Sequence, residues 1–324
     1  MSKNMVNTIG VTDIGKLPKV ICTDMIDAKD IFEWVGDNKD TLEQQLSDHG
    51  GILFRGFNIN TVTEFEKFTS LLSPSLEEYK ERSTPRKAVQ GNVYTSTEYP
   101  QEMWIPQHNE NSYQHAWPMK IWFYSVECAQ EGGETPIADS REIYRRLDPK
   151  IIENFTKRNV MYVRNLGGGI DLPWQEVFQT ENKEEVEQYC CKAGMTVEWL
   201  DNNRLRTKSV RPAVAKHPKT GEMLWFNQAH LFHYTSLPIE IREYLIHSMG
   251  EENLTRNAYY GDGTSIEHSV LDEIRGIYDE IMVQFPWEKN DVLLLDNMLT
   301  THGRAPFKGK RKVVVAMSDV YNQY

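Results

Sequence analysis

The sequence is poor in cysteine. Four cysteines in 324 residues show no CxxC spacing, and two of them are adjacent. This pattern excludes a disulfide framework and is typical of a protein that works in a reducing compartment. The four are Cys22, Cys128, Cys190 and Cys191.

Long apolar runs are also missing. No segment approaches the roughly 18 uninterrupted apolar residues that a membrane span needs. The first ten residues, MSKNMVNTIG, lack the basic patch and apolar run of a secretory leader. We therefore expect a cytoplasmic protein that does not enter a membrane.

Positive charge is in the minority. The chain has 36 lysine and arginine residues against 47 aspartate and glutamate residues, a formal net charge of −11. The summed field of such a chain repels polyphosphate, which argues against nucleic acid and anionic membranes and favours a small-molecule substrate. Nothing in these totals indicates the oligomeric state.

What the chain does have is enough apolar material for a core, since 40% of its residues are hydrophobic. No internal repeat or linker is evident, so we expect one catalytic domain over residues 1–324. Aromatic and β-branched runs predict strands at Lys120–Cys128, Asp291–Leu295 and Arg311–Met317. The polar stretch 79–100 is expected to be an irregular loop and an active-site lid.

Amphipathic helices are interspersed between the predicted strands, and strands far apart in sequence must pair to close the sheets. This predicts a β-rich α+β fold whose core is a double-stranded β-helix, or jelly roll, with inserted and flanking helices.

One stretch, QHNENSYQHAW, carries a possible metal site. Side chains two apart in a strand point to the same face, so His108 and Glu110 are expected to stand side by side. A third ligand must come from elsewhere, and His302 lies just past an apolar strand. Two histidines and one carboxylate form the facial triad of non-haem Fe(II) oxygenases.

A single arginine adds to this pattern. Arg311 lies nine residues after His302, and alternation places it on one face with Val313, Val315 and Met317. A guanidinium beside an apolar face is costly unless it meets an anion, and its planar fork fits a carboxylate. The pattern thus favours a carboxylate-bearing cosubstrate near the metal.

With these motifs, the chain resembles the taurine dioxygenase (TauD/TfdA) family of Fe(II)/2-oxoglutarate-dependent enzymes, and most closely the SyrP-type amino-acid hydroxylases of nonribosomal peptide biosynthesis. The likeness runs from about Asp48 to Met317. It implies that His108, Glu110 and His302 bind Fe(II) and that Arg311 holds the distal carboxylate of 2-oxoglutarate. In GGETPIADSR, Thr135 matches the threonine that assists this arginine.

The resemblance also implies the reaction. Such enzymes use O2 and 2-oxoglutarate to oxidise an unactivated C–H bond, and they release succinate and CO2. Taurine dioxygenase has a second arginine where this chain has Val315, so taurine is not the expected substrate. Iron-dependent halogenases replace the carboxylate ligand with a small residue, so Glu110 disfavours halogenation.

Further residues are candidates for contact with an amino-acid substrate, and these are Arg86, Glu98, His115 and Asn227. His230 and His233 could be imagined as a metal pair, but no third ligand suggests itself, so we interpret them as packing residues. The basic runs Arg204–Arg211 and Lys308–Lys312 are interpreted as solvated faces. They become docking candidates if an acidic peptidyl carrier protein presents the substrate.

Two other functions remain open. Zinc accepts the same two histidines and one glutamate with a water as fourth ligand, so a zinc hydrolase is possible. The chain has no HExxH motif, however, and a hydrolase does not need Arg311. A non-catalytic metal-binding accessory protein is the other alternative, against which the intact ligand set argues.

Overall fold

The computed structural model of the protein describes residues 17–22, 30–73, 76, 88–95, 99–168 and 172–322. The strands in this part of the chain are β1 (Lys19–Cys22), β2 (Gly51–Arg55), β3 (Ala88–Gln90), β4 (Val93–Thr95), β5 (Ile105–His108), β6 (Ala116–Glu127), β7 (Glu131–Gly132), β8 (Ile137–Asp139), β9 (Val160–Leu166), β10 (Met195–Leu200), β11 (Arg204–Arg211), β12 (Val214–Lys216), β13 (Met223–Trp225), β14 (Arg256–Tyr260), β15 (Val292–Asp296), β16 (Thr300–Arg304), β17 (Phe307–Lys308) and β18 (Lys312–Asn322).

The α-helices of the same residues are α1 (Asp30–Asp37), α2 (Lys39–His49), α3 (Val62–Leu72), α4 (Ser140–Arg146), α5 (Pro149–Arg158), α6 (Trp174–Phe178), α7 (Lys183–Lys192), α8 (Ala229–Phe232), α9 (Ile239–Met249) and α10 (His268–Ile281). Among the described residues, no helix is both long and apolar enough to cross a lipid bilayer.

Two sheets form the centre of the molecule. The larger has the strand order β1-β2-β15-β6-β18-β4-β3, and the smaller has the order β5-β16-β8. Every neighbouring pair is antiparallel except β1 and β2, which are parallel. The central strands β6, β15 and β18 lie far apart in the sequence, so the large sheet closes only through long-range pairing.

The sequence of β6 explains why the larger sheet is buried on both faces. Its residues AWPMKIWFYSVE are rich in the aromatic and β-branched types that suit a pleated strand. Trp122 and Tyr124 pack into a core with the three N-terminal helices. Ile121 and Phe123, which alternate with them, pack into a second core that includes Ile137 of the smaller sheet. The two sheets therefore face each other.

A third sheet stands apart from these two. Its order is β10-β11-β9-β14, and all its pairs are antiparallel. It has its own apolar cluster, which includes Trp174, Val186 and Leu205. This insertion contains the basic strand Arg204–Arg211, in which buried and exposed positions alternate. The run is a strand with one solvated face, as predicted.

The predicted strands are confirmed with small shifts in their bounds, and Arg311 lies one residue before β18. The predicted irregular loop 79–100 is wrong for residues 88–95. These form a hairpin, β3 and β4, and β4 pairs with β18 at the edge of the large sheet. Pairing with an existing sheet edge satisfies backbone groups that the polar sequence did not mark as a strand.

Candidate metal centre

The smaller sheet carries the two predicted histidine ligands. His108 ends β5, and His302 is the middle residue of β16, where the two stand directly opposite each other in the pairing register. Their ring centroids are 4.5 Å apart. Pairing of β5 with β16 therefore brings together two side chains that lie far apart in the sequence.

Glu110 lies close to the two histidines, but it belongs to a different backbone element from the one predicted. The strand ends at His108, and Glu110 lies in the turn that follows, so the prediction of one continuous strand through His108 and Glu110 is wrong. Asn111 in this turn has a φ of 58°, which reverses the chain direction. The Glu110 Oε2 nevertheless lies 3.5 Å from His302 Nε2.

The three side chains converge on one point. Their potential ligand atoms all lie within 4.8 Å of one another, and Glu110 and His302 are 3% and 5% exposed. A buried carboxylate between two imidazoles fits a divalent cation, because the cation offsets the cost of burying the charge. The donor set suits Fe(II) and also Zn(II), so the ligands alone do not separate oxygenase from hydrolase.

His108 is held in the tautomer that a metal ligand needs. Its Nδ1 lies 2.8 Å from the carbonyl oxygen of Pro106. A carbonyl oxygen only accepts hydrogen bonds, so Nδ1 carries the hydrogen and Nε2 keeps its lone pair. In metal-binding histidines generally, a hydrogen bond from the ring nitrogen that does not bind the metal fixes the orientation of the ring. On the other histidine, the Phe123 ring packs 5.1 Å from the His302 ring.

Arg311 and Thr135 line the same cavity as the two histidines. The apolar wall of this cavity includes Ile105 and Val315. The Arg311 Nε donates a hydrogen bond of 2.7 Å to the Gly133 carbonyl oxygen, which leaves the terminal nitrogens to face a ligand. The two predicted cofactor residues thus share one pocket with two of the three predicted metal ligands, His108 and His302.

The charge of Arg311 is only partly offset by the nearby carboxylate of Glu134. None of the carboxylates in the described residues forms an ion pair with it. Burial, together with the positive charge of nearby Arg304, lowers the pKa of Arg311 to about 10. The guanidinium is still cationic at neutral pH, and an anion that entered the cavity would relieve its burial.

Gly133 and Thr135 shape the part of the cavity that surrounds Arg311. Gly133 has a φ of 78°, and a Cβ added there would stand 2.9 Å from Arg311 Cδ, so glycine makes room for the arginine. Thr135 is 1% exposed, and its hydroxyl accepts a hydrogen bond of 3.2 Å from Trp287 Nε1. The Thr135 hydroxyl hydrogen is then available to a carboxylate.

Arg304 is a cavity residue that the sequence analysis missed. It is 6% exposed and lines the cavity with Arg311. Its terminal nitrogens donate hydrogen bonds to the carbonyl oxygens of Tyr99, Pro100 and Met103. The two-residue spacing from His302 in β16 was the signal, because alternation places both on one face.

Of the predicted substrate residues, the two that the structure describes, His115 and Asn227, do not line this cavity. Asn227 is fully buried, and its amide group is engaged with the backbone of Ala213 and Ala229. His115 is half-buried, and its Nδ1 has no hydrogen-bond partner within the described ranges. Arg86 and Glu98 lie outside the described residues. A role for any of the four stays a prediction.

His230 and His233 are packing residues in the structure. The His230 Nε2 donates a hydrogen bond to the Gln107 carbonyl oxygen, and its ring stacks on Tyr278. Burial lowers the pKa of His230 to about 4 and that of His233 to about 3. His230 bonds the backbone of Gln107 and does not line the cavity that contains His108 and His302.

Comparisons with known proteins agree with this geometry. The family model described as "Taurine catabolism dioxygenase TauD, TfdA family" matches residues 13–317. The chain is 45% identical over 278 residues to the dapdiamide synthesis protein DdaC of Enterobacter agglomerans, covering 86% of this chain and 84% of the relative. It is 29% identical over 290 residues to a clavaminate synthase-like protein of Arabidopsis thaliana, with the same coverage of each chain.

Among solved structures, the fold is similar to that of AAD-2, crystallised in complex with Mn(II) and N-oxalylglycine. The TM-score is 0.53 at 13% identity, and 92% of each chain is covered. This likeness concerns the fold, and it confirms the predicted jelly roll with its flanking helices.

Proposed function

Because the chain belongs to the TauD/TfdA family of dioxygenases, we propose that it hydroxylates an unactivated C–H bond of an amino acid or of an amino-acid-derived natural-product intermediate. Fe(II) is its cofactor, and 2-oxoglutarate and O2 are its cosubstrates. The products are the hydroxylated substrate, succinate and CO2, which together account for both atoms of O2.

One observation carries this proposal: Arg311, a partly buried cation without an ion-pair partner among the described residues, shares a cavity with His108 and His302, and Glu110 converges on these two histidines. Hydrolysis at a zinc site does not itself need such a cation, whereas a dicarboxylate that binds the metal at one end needs a positive charge at the other. Planar arginine and the Thr135 hydroxyl suit a carboxylate.

Each residue then has a task. His108, Glu110 and His302 would hold Fe(II), which, when bound, supplies with O2 and 2-oxoglutarate the oxidising power for C–H hydroxylation. Arg311 and Thr135 would bind the distal carboxylate of 2-oxoglutarate and fix its orientation. Phe123 and Val315 give the cavity apolar walls, which would limit the access of water to the reacting groups.

The substrate class rests on two observations. The relative that is 45% identical is described as a dapdiamide synthesis protein, which places that relative in a biosynthetic pathway. Val315 lines the cavity and offers no charge to a sulfonate. Presentation by a peptidyl carrier protein is the finer alternative to a free substrate, and the basic run Arg204–Arg211 has exposed positions for an acidic carrier.

We also propose a cytoplasmic enzyme with one catalytic domain over residues 1–324 and a lid within 79–100. The three hydrogen bonds from Arg304 to Tyr99, Pro100 and Met103 support the lid, because they anchor the C-terminal end of that segment beside the cavity.

The test is a single-turnover assay. The metal-free protein receives Fe(II) and 2-oxoglutarate without oxygen, then air, with a panel of amino acids in free and carrier-bound form. Mass spectrometry measures succinate and the gain of one oxygen atom by the substrate. We expect both in equal amounts with one member of the panel, and neither with the His108→Ala variant.

Four results would count against parts of the proposal. No consumption of 2-oxoglutarate with any candidate contradicts the oxygenase, and hydrolysis supported by Zn(II) favours the zinc enzyme. Full activity of His108→Ala contradicts the ligand assignment. Equal turnover of the free and the tethered amino acid removes the reason for a carrier.

A further inference from the structure

The backbone of Glu110 has no strand to hold it. Strand β5 ends two residues earlier, at His108, and Glu110 lies in a turn. His302, in contrast, lies within β16 and is paired on both sides, with β5 and with β8. A carboxylate ligand in a turn needs another means of support if it is to point at the same ion as a histidine in a sheet.

Asn297 supplies that support. Its Oδ1 accepts a hydrogen bond of 2.7 Å from the Glu110 backbone N–H, and its Nδ2 donates one of 2.9 Å to the Glu110 carbonyl oxygen. The same Nδ2 donates to the Pro118 carbonyl oxygen at 2.8 Å. One fully buried side chain therefore bonds both backbone groups of Glu110, as a neighbouring strand would.

Asn297 is itself fixed in the turn between β15 and β16. Its backbone N–H donates to the Met119 carbonyl oxygen at 2.9 Å, and its own carbonyl oxygen accepts from Asn109 Nδ2 at 2.7 Å. The preceding Asp296 shapes the turn, because its Oδ1 accepts from the backbone N–H groups of Met298 and Leu299.

A second bond restrains Asp296. Its Oδ2 lies 3.1 Å from the Nε2 of buried His217, and the His217 Nδ1 accepts backbone hydrogen bonds from Lys219 and Thr220, so Nε2 is the donor. The turn that presents Asn297 is thus held from both sides. It lies five residues before His302 on the same chain segment.

From this geometry we propose that Asn297 is a positioning residue of the metal centre: it sets the Glu110 carboxylate in line with His302. The inference rests on the metal site of the proposed function. Partners that orient metal ligands without touching the metal are commonly worth 10- to 100-fold in metal affinity. If the Glu110 carboxylate were misplaced, only the two histidines would bind the metal, and the metal affinity of the site would be lower.

The experiment measures metal affinity without turnover. Co(II) is titrated into the metal-free protein, and its dissociation constant is determined by competition with a chelating fluorophore. We expect Asn297→Ala to bind Co(II) about 10- to 100-fold more weakly than the wild type. The visible absorption bands of bound Co(II) should also change, because they report the ligand geometry.

Asn165→Ala is the matched control. The Asn165 Nδ2 also donates to two backbone carbonyl oxygens, those of Glu252 and Leu254, and its Oδ1 also accepts one hydrogen bond, from Arg206. It is buried in β9, in the separate four-stranded sheet. We expect this variant to lose a similar amount of thermal stability and to bind Co(II) as the wild type does.

The outcomes are distinct. Co(II) affinity of Asn297→Ala within threefold of the wild type overturns the inference, and so does an equal loss in Asn165→Ala. If Asn297→Ala does not fold, Asn109→Ala removes the bond to the Asn297 carbonyl oxygen and should weaken Co(II) binding severalfold. No change there overturns the inference as well.

The wild type and His108→Ala report on the proposed function separately. If the wild type binds no Co(II), or His108→Ala binds it equally well, the metal site itself is wrong. If these two behave as expected and Asn297→Ala is unaffected, only the positioning role fails.

Discussion

Partly or fully buried arginines have opposite electrostatic surroundings in two regions of the molecule. At one edge, Arg55 donates hydrogen bonds to both carboxylate oxygens of Asp291 and forms an ion pair with Glu288. In the cavity, Arg304 and Arg311 lie together, and no carboxylate of the described residues forms an ion pair with either.

The pKa directions separate the regions in the same way. Burial lowers the pKa of Arg55, but the hydrogen bonds and the charge of Asp291 outweigh it, and the pKa ends above its usual value. Burial lowers the pKa of both Arg304 and Arg311, and the nearby groups that raise it do not outweigh the burial; these groups are Tyr99 and Glu102 for Arg304, and Glu134 and Cys128 for Arg311. The paired cation stabilises the fold, whereas desolvation of an unpaired cation destabilises the fold until an anion binds to it.

Arg311→Met gives the largest expected effect. It keeps the volume of the side chain and removes the charge that faces the ligand. Loss of a buried, charge-assisted pair costs about 4 kcal/mol, so the KM for 2-oxoglutarate should rise about 10³-fold. The free energy of unfolding should stay the same or increase by about 1 kcal/mol, because a buried charge has been removed. Succinate production and urea denaturation measure the two quantities.

Arg311→Met would contradict the comparison if it unfolded more easily and kept its KM. Arg311 would then be a structural cation like Arg55, and the cavity would need another anion site.

Arg55→Met should show the converse behaviour. It leaves the Asp291 carboxylate, whose side chain is 1% exposed, without its main partner. Breaking a buried pair from one side costs about 3 kcal/mol, so the free energy of unfolding should fall by that amount. The KM for 2-oxoglutarate should not change. Urea denaturation and succinate production again measure both.

The double variant Arg55→Met, Asp291→Leu is the control for this pair. It removes both charges and should recover most of the lost stability. No recovery would mean that packing of the Arg55 side chain, rather than its charge, accounts for the loss.

Gly133→Ala tests the space around Arg311 and should have a smaller effect. The added Cβ would stand 2.9 Å from Arg311 Cδ and push the guanidinium away from the cavity. We expect the KM for 2-oxoglutarate to rise about 10-fold, which corresponds to about 1.4 kcal/mol. The left-handed backbone at Gly133 adds a stability loss of about 1–2 kcal/mol. Steady-state kinetics and urea denaturation measure the two effects.

Gly194→Ala is the matched variant. Gly194 also has a positive φ, 60°, but the nearest atom to its added Cβ is 3.7 Å away. It should lose similar stability and keep its KM. A raised KM in both variants would show that backbone strain alone, without contact to Arg311, disturbs the site.

His302 could be predicted from the sequence because it follows an apolar strand, and the position of Arg311 could be predicted because side chains alternate along a strand. The period of two that places Arg311 on one face with Val313 and Val315 is confirmed by the cavity that all three line. The same reasoning could have found Arg304, two residues after His302. Local rules of this kind suffice wherever the backbone is regular.

Glu110 and the hairpin 88–95 show where such rules end. The Glu110 backbone is held by the side chain of Asn297, nearly two hundred residues away in the sequence. The hairpin exists because β4 finds the edge of β18. Neither of these long-range partners, Asn297 or β18, is visible in the local sequence pattern. Glu110 could therefore be predicted as a metal ligand, but the turn that contains it could not. Arg86 and Glu98 stay untested candidates.

His230 is a buried basic side chain that is neutral in the folded protein. The effect predicted for it is the smallest. It is 4% exposed, and its pKa is lowered to about 4, mainly by burial. The unfolded chain takes up a proton as the pH falls through about 6.5, while folded His230 does not do so until about 4. Its contribution to stability is therefore complete above about pH 6.5 and is lost as the pH falls towards 4. Urea denaturation at pH 7 and 5.5 measures this loss, which should be about 1 kcal/mol.

His230→Gln should abolish that part of the pH dependence, because glutamine still offers a donor to the Gln107 carbonyl oxygen but takes up no proton. The exposed His247→Gln variant serves as the control and should follow the wild type. If the wild type and His230→Gln lose equal stability between pH 7 and 5.5, His230 is protonated in the folded protein. The region around His230 would then also hold a buried cation without an ion-pair partner. Such a cation would no longer distinguish the cavity that contains Arg304 and Arg311.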